Sequence, residues 1–150
     1  MAPVVDASVA LKWALREPDS LDAFALLRSG EELLLPDFWL AEAASAMWTQ
    51  VRKRLMSEPD ARVAFDILRR HVQPTSTAGM DLHSRALDIA LAVNHSPYDA
   101  LHIAFALAIG AHGVVMADWP FANAMRHHPD RRIAAMPIEL SDWARGRGRP

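Results

Sequence analysis

Short, wholly apolar runs alternate along this chain with longer stretches of helical period, and this alternation limits the fold more than any other feature. Val4-Val5, Leu33-Leu34-Leu35 of the candidate strand over residues 32–35, and residues 113–116 are such runs. Strands that lack an apolar–polar alternation are buried on both faces, which is the habit of parallel sheets. Between them lie segments with apolar residues at three- and four-residue spacing. Strand followed by helix, repeated, predicts an α/β fold: three layers, α/β/α, around a central parallel sheet.

Breakers and caps set the expected bounds. A helix over residues 8–15 stops at Glu17-Pro18. Asp19-Ser20 caps the next, where Leu21, Phe24 and Leu27 repeat, and Gly30 ends it. Asp37 caps a long helix over residues 38–56, broken by Ser57-Glu58-Pro59. Residues 60–71 are amphipathic, with Val63, Ile67 and Leu68 opposite Arg62, Asp66, Arg69 and Arg70. Residues 72–76 read as an edge strand or a loop, because Pro74 cannot donate to a ladder. Residues 80–93 and 96–109 are helical, the second apolar nearly all round and therefore buried. A helix starts at Asp118 toward Arg126, and residues 132–135 are expected as a last strand. The domain is expected over residues 1–140, with residues 141–150 a flexible basic tail.

The 150 residues suit one domain with a sizeable core. A formal net charge of −2 leaves no general polycation, so any phosphate contact needs a local basic patch. Cysteine is absent, which excludes disulfides and thiolate metal sites and accords with a cytoplasmic protein. Asp6 comes too early for a signal-peptide apolar region, and residues 103–109 are too short to span a bilayer, so no membrane role is expected.

Four acids sit where apolar segments end: Asp6, Glu42, Asp99 and Asp118. In parallel α/β folds ligands bind beyond the carboxyl ends of the strands, and all four can face that end. Two carboxylates about 5 Å apart repel by roughly 3 kcal/mol at an effective dielectric near 20, so a cluster takes up protons or binds cations. Oxygen donors suit Mg²⁺ or Mn²⁺, and the chemistry that follows is phosphodiester hydrolysis by a metal-activated water. Each acid also has a structural alternative. Asp6 and Asp118 can cap helices, Glu42 can be a solvated helix residue, and Asp99 can close a capping box with Ser96. His102, one turn after Asp99, is a ligand or base candidate but more often a satisfied core residue. His127-His128 resembles a surface pair near a helix end.

Val4-Val5-Asp6-Ala7-Ser8-Val9-Ala10-Leu11-Lys12-Trp13 resembles the opening of a PIN-domain ribonuclease of the VapC toxin type. Residues 36–44, around Glu42, resemble the second motif of that family. Ser96-Pro97-Tyr98-Asp99-Ala100-Leu101-His102 resembles the third, and Val114-Val115-Met116-Ala117-Asp118 the fourth. The chain departs from the pattern at Met116, where a hydroxyl residue is usual, and at Ser45, where Asn is common. The resemblance implies a Mg²⁺- or Mn²⁺-dependent endoribonuclease, a small VapB-type antitoxin and often a homodimer. It implies that Asp6, Glu42, Asp99 and Asp118 hold the metal, with Asp6 and Asp99 the main ligands, and that Ser8 stands beside the first acid. Lys12 and Arg16 are candidates to meet RNA phosphates. The alternatives are an RNA-processing nuclease of the same fold outside a toxin system, or a catalytically weakened binding module. An exposed helix pair carrying Trp39, Met47, Trp48, Val51, Leu55, Val63 and Ile67 is expected to receive the antitoxin.

Overall fold

The computed structural model describes residues 2–146. The chain enters the middle of the sheet at once. β1 (Val4–Val5) pairs in parallel with β2 (Val114–Met116), which pairs in parallel with β3 (Pro137–Glu139). Val4 stands opposite Val114, and Val115 opposite Ile138. Among the described residues the sheet continues on the far side of β1 only as single parallel bridges, Val4 to Leu34 and Pro36 to Thr75. The expected strands over residues 32–35 and 72–76 are reduced to these bridges. Prolines at 36 and 74 leave each segment too few donors for a longer ladder.

The helices are α1 (Ala7–Ala10), α2 (Ser20–Leu27), α3 (Trp39–Arg52), α4 (Glu58–His71), α5 (Leu82–Val93), α6 (Pro97–Ile109), α7 (Trp119–Met125), α8 (Arg131–Ala134) and α9 (Leu140–Gly146). Strand side chains alternate between faces, and the core divides accordingly. Val4, Val114 and Met116 join the residues of α5, α6 and α7 on one face. Val5 and Val115 join α1, α2, α3, α4 and α9 on the other. The result is the expected α/β/α arrangement. Gly113 lets β2 and β3 approach: a Cβ there would lie 2.6 Å from the Ile138 Cδ1 and 2.9 Å from the Met136 carbonyl.

Several local expectations are corrected. Residues 132–135 are not a strand. The Asp130 carboxylate accepts from the Arg132 and Ile133 amides and starts α8, and the strand follows at β3. The first helix tightens into a 3₁₀ turn over Leu11–Trp13, and α3 ends at Arg52 rather than near residue 56. Asp37 does not cap α3. Its carboxylate accepts from the Thr77 amide (3.2 Å) and hydroxyl (2.7 Å), tying the approach to α3 to the loop after Thr75. The basic tail does not begin at 141, because Leu140 and Ala144 of α9 are buried and Trp143 packs on the same core. Residues 147–150 of the expected tail lie outside the described residues. Trp39 (0% exposed) and Met47 (4%) belong to the core, so the expected partner face on α3 loses them as exposed anchors. Among the described residues no helix is long and apolar enough to cross a membrane.

Candidate active site

Asp6 directly follows β1, and its backbone amide donates to the Val115 carbonyl of β2 (2.9 Å). The chain turns there into α1, and one carboxylate oxygen of Asp6, Oδ2, accepts from both the amide (2.9 Å) and the hydroxyl (2.5 Å) of Ser8. The Ser8 hydroxyl in turn accepts from the Ala117 amide (3.0 Å). One serine thus joins the end of β1 to the residue before Asp118. Met116, at the usual hydroxyl position, is in the core at 1% exposure.

Asp118 caps α7, its Oδ1 accepting from the Phe121 amide (3.1 Å). Glu42 and Asp99 lie in the first turns of α3 and α6. Ser96 caps α6 by accepting from the Tyr98 amide (3.2 Å). Asp99 turns away from that cap: its Oδ2 lies 3.0 Å from the His95 Nδ1.

The two sides of the site are joined by His102. It is wholly buried, yet its Nε2 lies 2.8 Å from the Glu42 Oε2 and 3.7 Å from the Asp6 Oδ1. Its ring meets Phe38 edge-on, with centroids 5.0 Å apart. The Nδ1 atom is buried without a hydrogen-bond partner. His102 is therefore a core residue, but not a satisfied one, and it clasps acids from β1 and α3. Burial works against its charged form. Asp6, then Glu42, then Asp99 outweigh that, and its pKa is raised overall. A second histidine, His95, also faces the site. Its sequence signal was its place four residues before Asp99, inside the segment leading to α6.

The carboxyls also act on one another. Burial pushes the Asp99 carboxyl up, Asp118 and Asp6 push it further, and His95 partly offsets them. All four predicted acids thus belong to one neighbourhood: Asp99 feels Asp118 and Asp6, and His102 feels Asp6, Glu42 and Asp99. As placed, however, no three His, Cys, Asp or Glu side chains among the described residues are grouped to hold an ion. Each acid is tied to its own partner instead.

The two basic candidates behave differently. Lys12 is buried, and its ammonium donates to Glu17 (3.0 Å) and to the Pro18 carbonyl (3.0 Å), so it braces the turn before α2. Arg16 is exposed at the rim of a hollow of about 740 Å³. Beside Glu42 opens a larger groove of about 820 Å³, with Phe38, Ser45, Gln50, His83 and Tyr98 on its walls.

The chain is similar to the crystal structure of PAE2754 from Pyrobaculum aerophilum. The TM-score is 0.68 at 16% identity, over 97% of this chain and 88% of that one. No curated protein matches the chain. The family profile for the PIN domain matches residues 4–126, which take in all four acids. The chain therefore belongs to the PIN-domain family, whose members are generally nucleases.

Proposed function

We propose that this protein is a metal-dependent endoribonuclease acting as the toxin of a type II toxin–antitoxin pair. The observation that carries the nuclease reading is the PIN-family match over residues 4–126, which takes in Asp6, Glu42, Asp99 and Asp118, and the crowding that raises the Asp99 carboxyl despite His95 accords with it. Acids held in such a group answer to a cation. The donor set is all oxygen, which fits Mg²⁺ or Mn²⁺. Asp6, Glu42, Asp99 and Asp118 would hold the ion. When bound, it supplies an acidified water and charge stabilisation at the phosphate oxygens.

The remaining work falls to the protein. Ser8 fixes Asp6 through one oxygen, and the other lies toward His102. His102 holds Glu42 through Oε2 and keeps α3 and α6 in register across the site. Asp118 commits one oxygen to its cap. Cleavage of cellular RNA by purified protein, with Mg²⁺ or Mn²⁺ and with excess chelator, tests the reading. Full activity in chelator would sink the metal mechanism.

The toxin role is supported by the outer face of α3 and α4. Trp48, Val63 and Ile67 are exposed there, and Leu55 is exposed in the turn between the two helices. A hollow of about 390 Å³ runs beside Trp48, with Val51, Arg62 and Phe65 on its walls. Aromatic and aliphatic anchors around a hollow suit an apolar segment of a VapB-type antitoxin. An arginine of that antitoxin would match the carboxylates. Leu87 and Leu91 on α5 are exposed as well, which suits a homodimer. Expression alone, and co-expression with the adjacent small gene followed by pull-down, separate the possibilities. Harmless expression with no co-purifying partner would end the toxin reading and leave the nuclease reading standing.

A further inference from the structure

Glu17 brings a further carboxylate to the 820 Å³ groove that opens beside Glu42. Its segment, between the 3₁₀ turn and α2, is held in place from several sides. The Glu17 amide donates to the Ser20 hydroxyl (3.0 Å), which donates to the Leu15 carbonyl (3.2 Å). Pro18 fixes the next backbone angle. The side chain is held as well. Its Oε2 accepts from the ammonium of buried Lys12 (3.0 Å), which also donates to the Pro18 carbonyl (3.0 Å). At 39% exposure the Glu17 side chain still meets solvent.

The groove has apolar walls and a polar edge. Leu11, Phe38 and Leu101 line it, and Glu42, Ser45 and Thr49 stand three and four residues apart on one face of α3. The groove therefore follows α3 away from a site acid, with Glu17 on its wall. A carboxylate has about four acceptor sites and cannot donate. With Lys12 beside it the pair is neutral as a whole, so a second cation gains less there than a neutral group with adjacent N–H donors. Guanine has two such donors on its pairing edge, N1–H and the 2-amino group. Adenine and cytosine offer one amino group next to an acceptor that a carboxylate repels, and uracil offers one N–H between two acceptors.

We propose that Glu17 is a specificity residue that reads an unpaired guanine of the RNA, lodged in the groove beside Glu42, through its N1–H and 2-amino group. The proposal rests on the nuclease reading and adds the base to it. Unpaired bases are the ones whose pairing edges a protein can reach in this way.

A pool of single-stranded RNA with randomised bases, cut with Mg²⁺ or Mn²⁺ present and sequenced at the new ends, tests this. Wild type should show guanine enriched at one position relative to the cut, and Glu17→Gln should reduce its preference over adenine about tenfold or more. A second arm needs no variant. Inosine, which lacks the 2-amino group, placed at that position should lower wild-type kcat/KM about tenfold, mainly through KM. Glu17→Gln should distinguish guanosine from inosine much less.

Cleavage by wild type with no guanine preference, or with the same preference in Glu17→Gln and no response to inosine, would overturn the reading of guanine and leave the nuclease reading standing. An equal loss on every RNA in Glu17→Gln, with guanosine and inosine cut alike by wild type, would reduce Glu17 to a brace of its turn and overturn it too. Unchanged base preference in Glu17→Gln together with loss of a co-purifying small protein would assign the residue to a protein partner instead, again overturning the proposal. Wild-type protein that cuts no RNA in the pool would overturn the nuclease reading itself.

Discussion

Asp37 and Asp99 stand at the starts of two helices, and the fold treats their carboxyls in opposite ways. Asp37, before α3, has Thr77 donating to it twice, and that hydrogen bonding holds its pKa below the ordinary value. Asp99, in the first turn of α6, is half-buried and faces Asp118 and Asp6, and its pKa is raised. Same side chain, similar station, opposite environment. A carboxylate that serves the scaffold is given donors. Asp99 is given other carboxylates as well as His95, and the histidine offsets their crowding only in part. His102 shows the same division within one residue, with Nε2 on Glu42 and Nδ1 buried without a partner.

The largest effect that tests this contrast is on activity. Asp99→Asn should lower RNA cleavage about a hundredfold or more, because a bound ion contributes several kcal/mol and about 1.4 kcal/mol is a factor of ten. Asp37→Asn should leave the rate within about twofold, as expected of a surface change away from the site. Equal losses in the two variants, measured as kcat/KM on one RNA, would erase the distinction. Next in size is His102→Gln, which keeps a donor but loses the ring. Partners that orient ligands contribute about 10- to 100-fold, so cleavage should fall by that order while added Mn²⁺ restores part of it. Loss of folding in His102→Gln, seen by circular dichroism, would make its role packing alone.

Stability in chelator should separate the two acids by sign. At Asp99, burial and repulsion outweigh the pull of His95, so Asp99→Asn should raise the melting temperature, by a small amount because the side chain is partly solvated. Asp37→Asn should lower it slightly. The other site acids are less free to gain. Asp6 accepts two bonds from Ser8, and Asp118 accepts from Phe121. A drop for Asp99→Asn in calorimetry would mean that His95 matters more to it than the crowding does.

The layers and the site acids were legible because they rest on short-range rules. The runs at Val4-Val5 and 113–116 gave buried parallel strands, the run at 32–35 gave only a bridge, and acids at segment ends gave the candidate site. What escaped depends on partners far along the chain. Thr77 draws Asp37 off its helix from forty residues away. Glu17 and Pro18 close over Lys12, which sequence alone left as a free cation. Residues 132–135 carried a strand-like apolar pattern, but the Asp130 cap outweighed it, and the last strand moved past Met136 to a stretch beginning with proline. His95 was passed over although it stands four residues before Asp99, because only the fold of the segment before α6 brings its ring to that carboxylate.

The smallest predicted effect concerns acid, and its sign follows from the Asp37 shift. A carboxyl whose folded pKa is depressed contributes stability above its unfolded pKa and loses it as pH falls through the folded pKa. For Asp37 the unfolded reference is 3.8, so its contribution is complete near neutrality and fades as pH drops past that value. The side chain is largely solvated, so screening keeps the contribution small, about 0.5 kcal/mol. Urea midpoints of wild type and Asp37→Asn should therefore differ at about pH 6, and the gap should narrow as pH falls below 3.8, because protonated Asp and Asn are alike as acceptors. Thr77→Val should remove the same pH-dependent difference, and the double variant should lose little more than either single one, as residues in direct contact do. A gap between wild type and Asp37→Asn that stays unchanged at every acidic pH where the protein remains folded would show that the Asp37–Thr77 tie works through shape and not through charge.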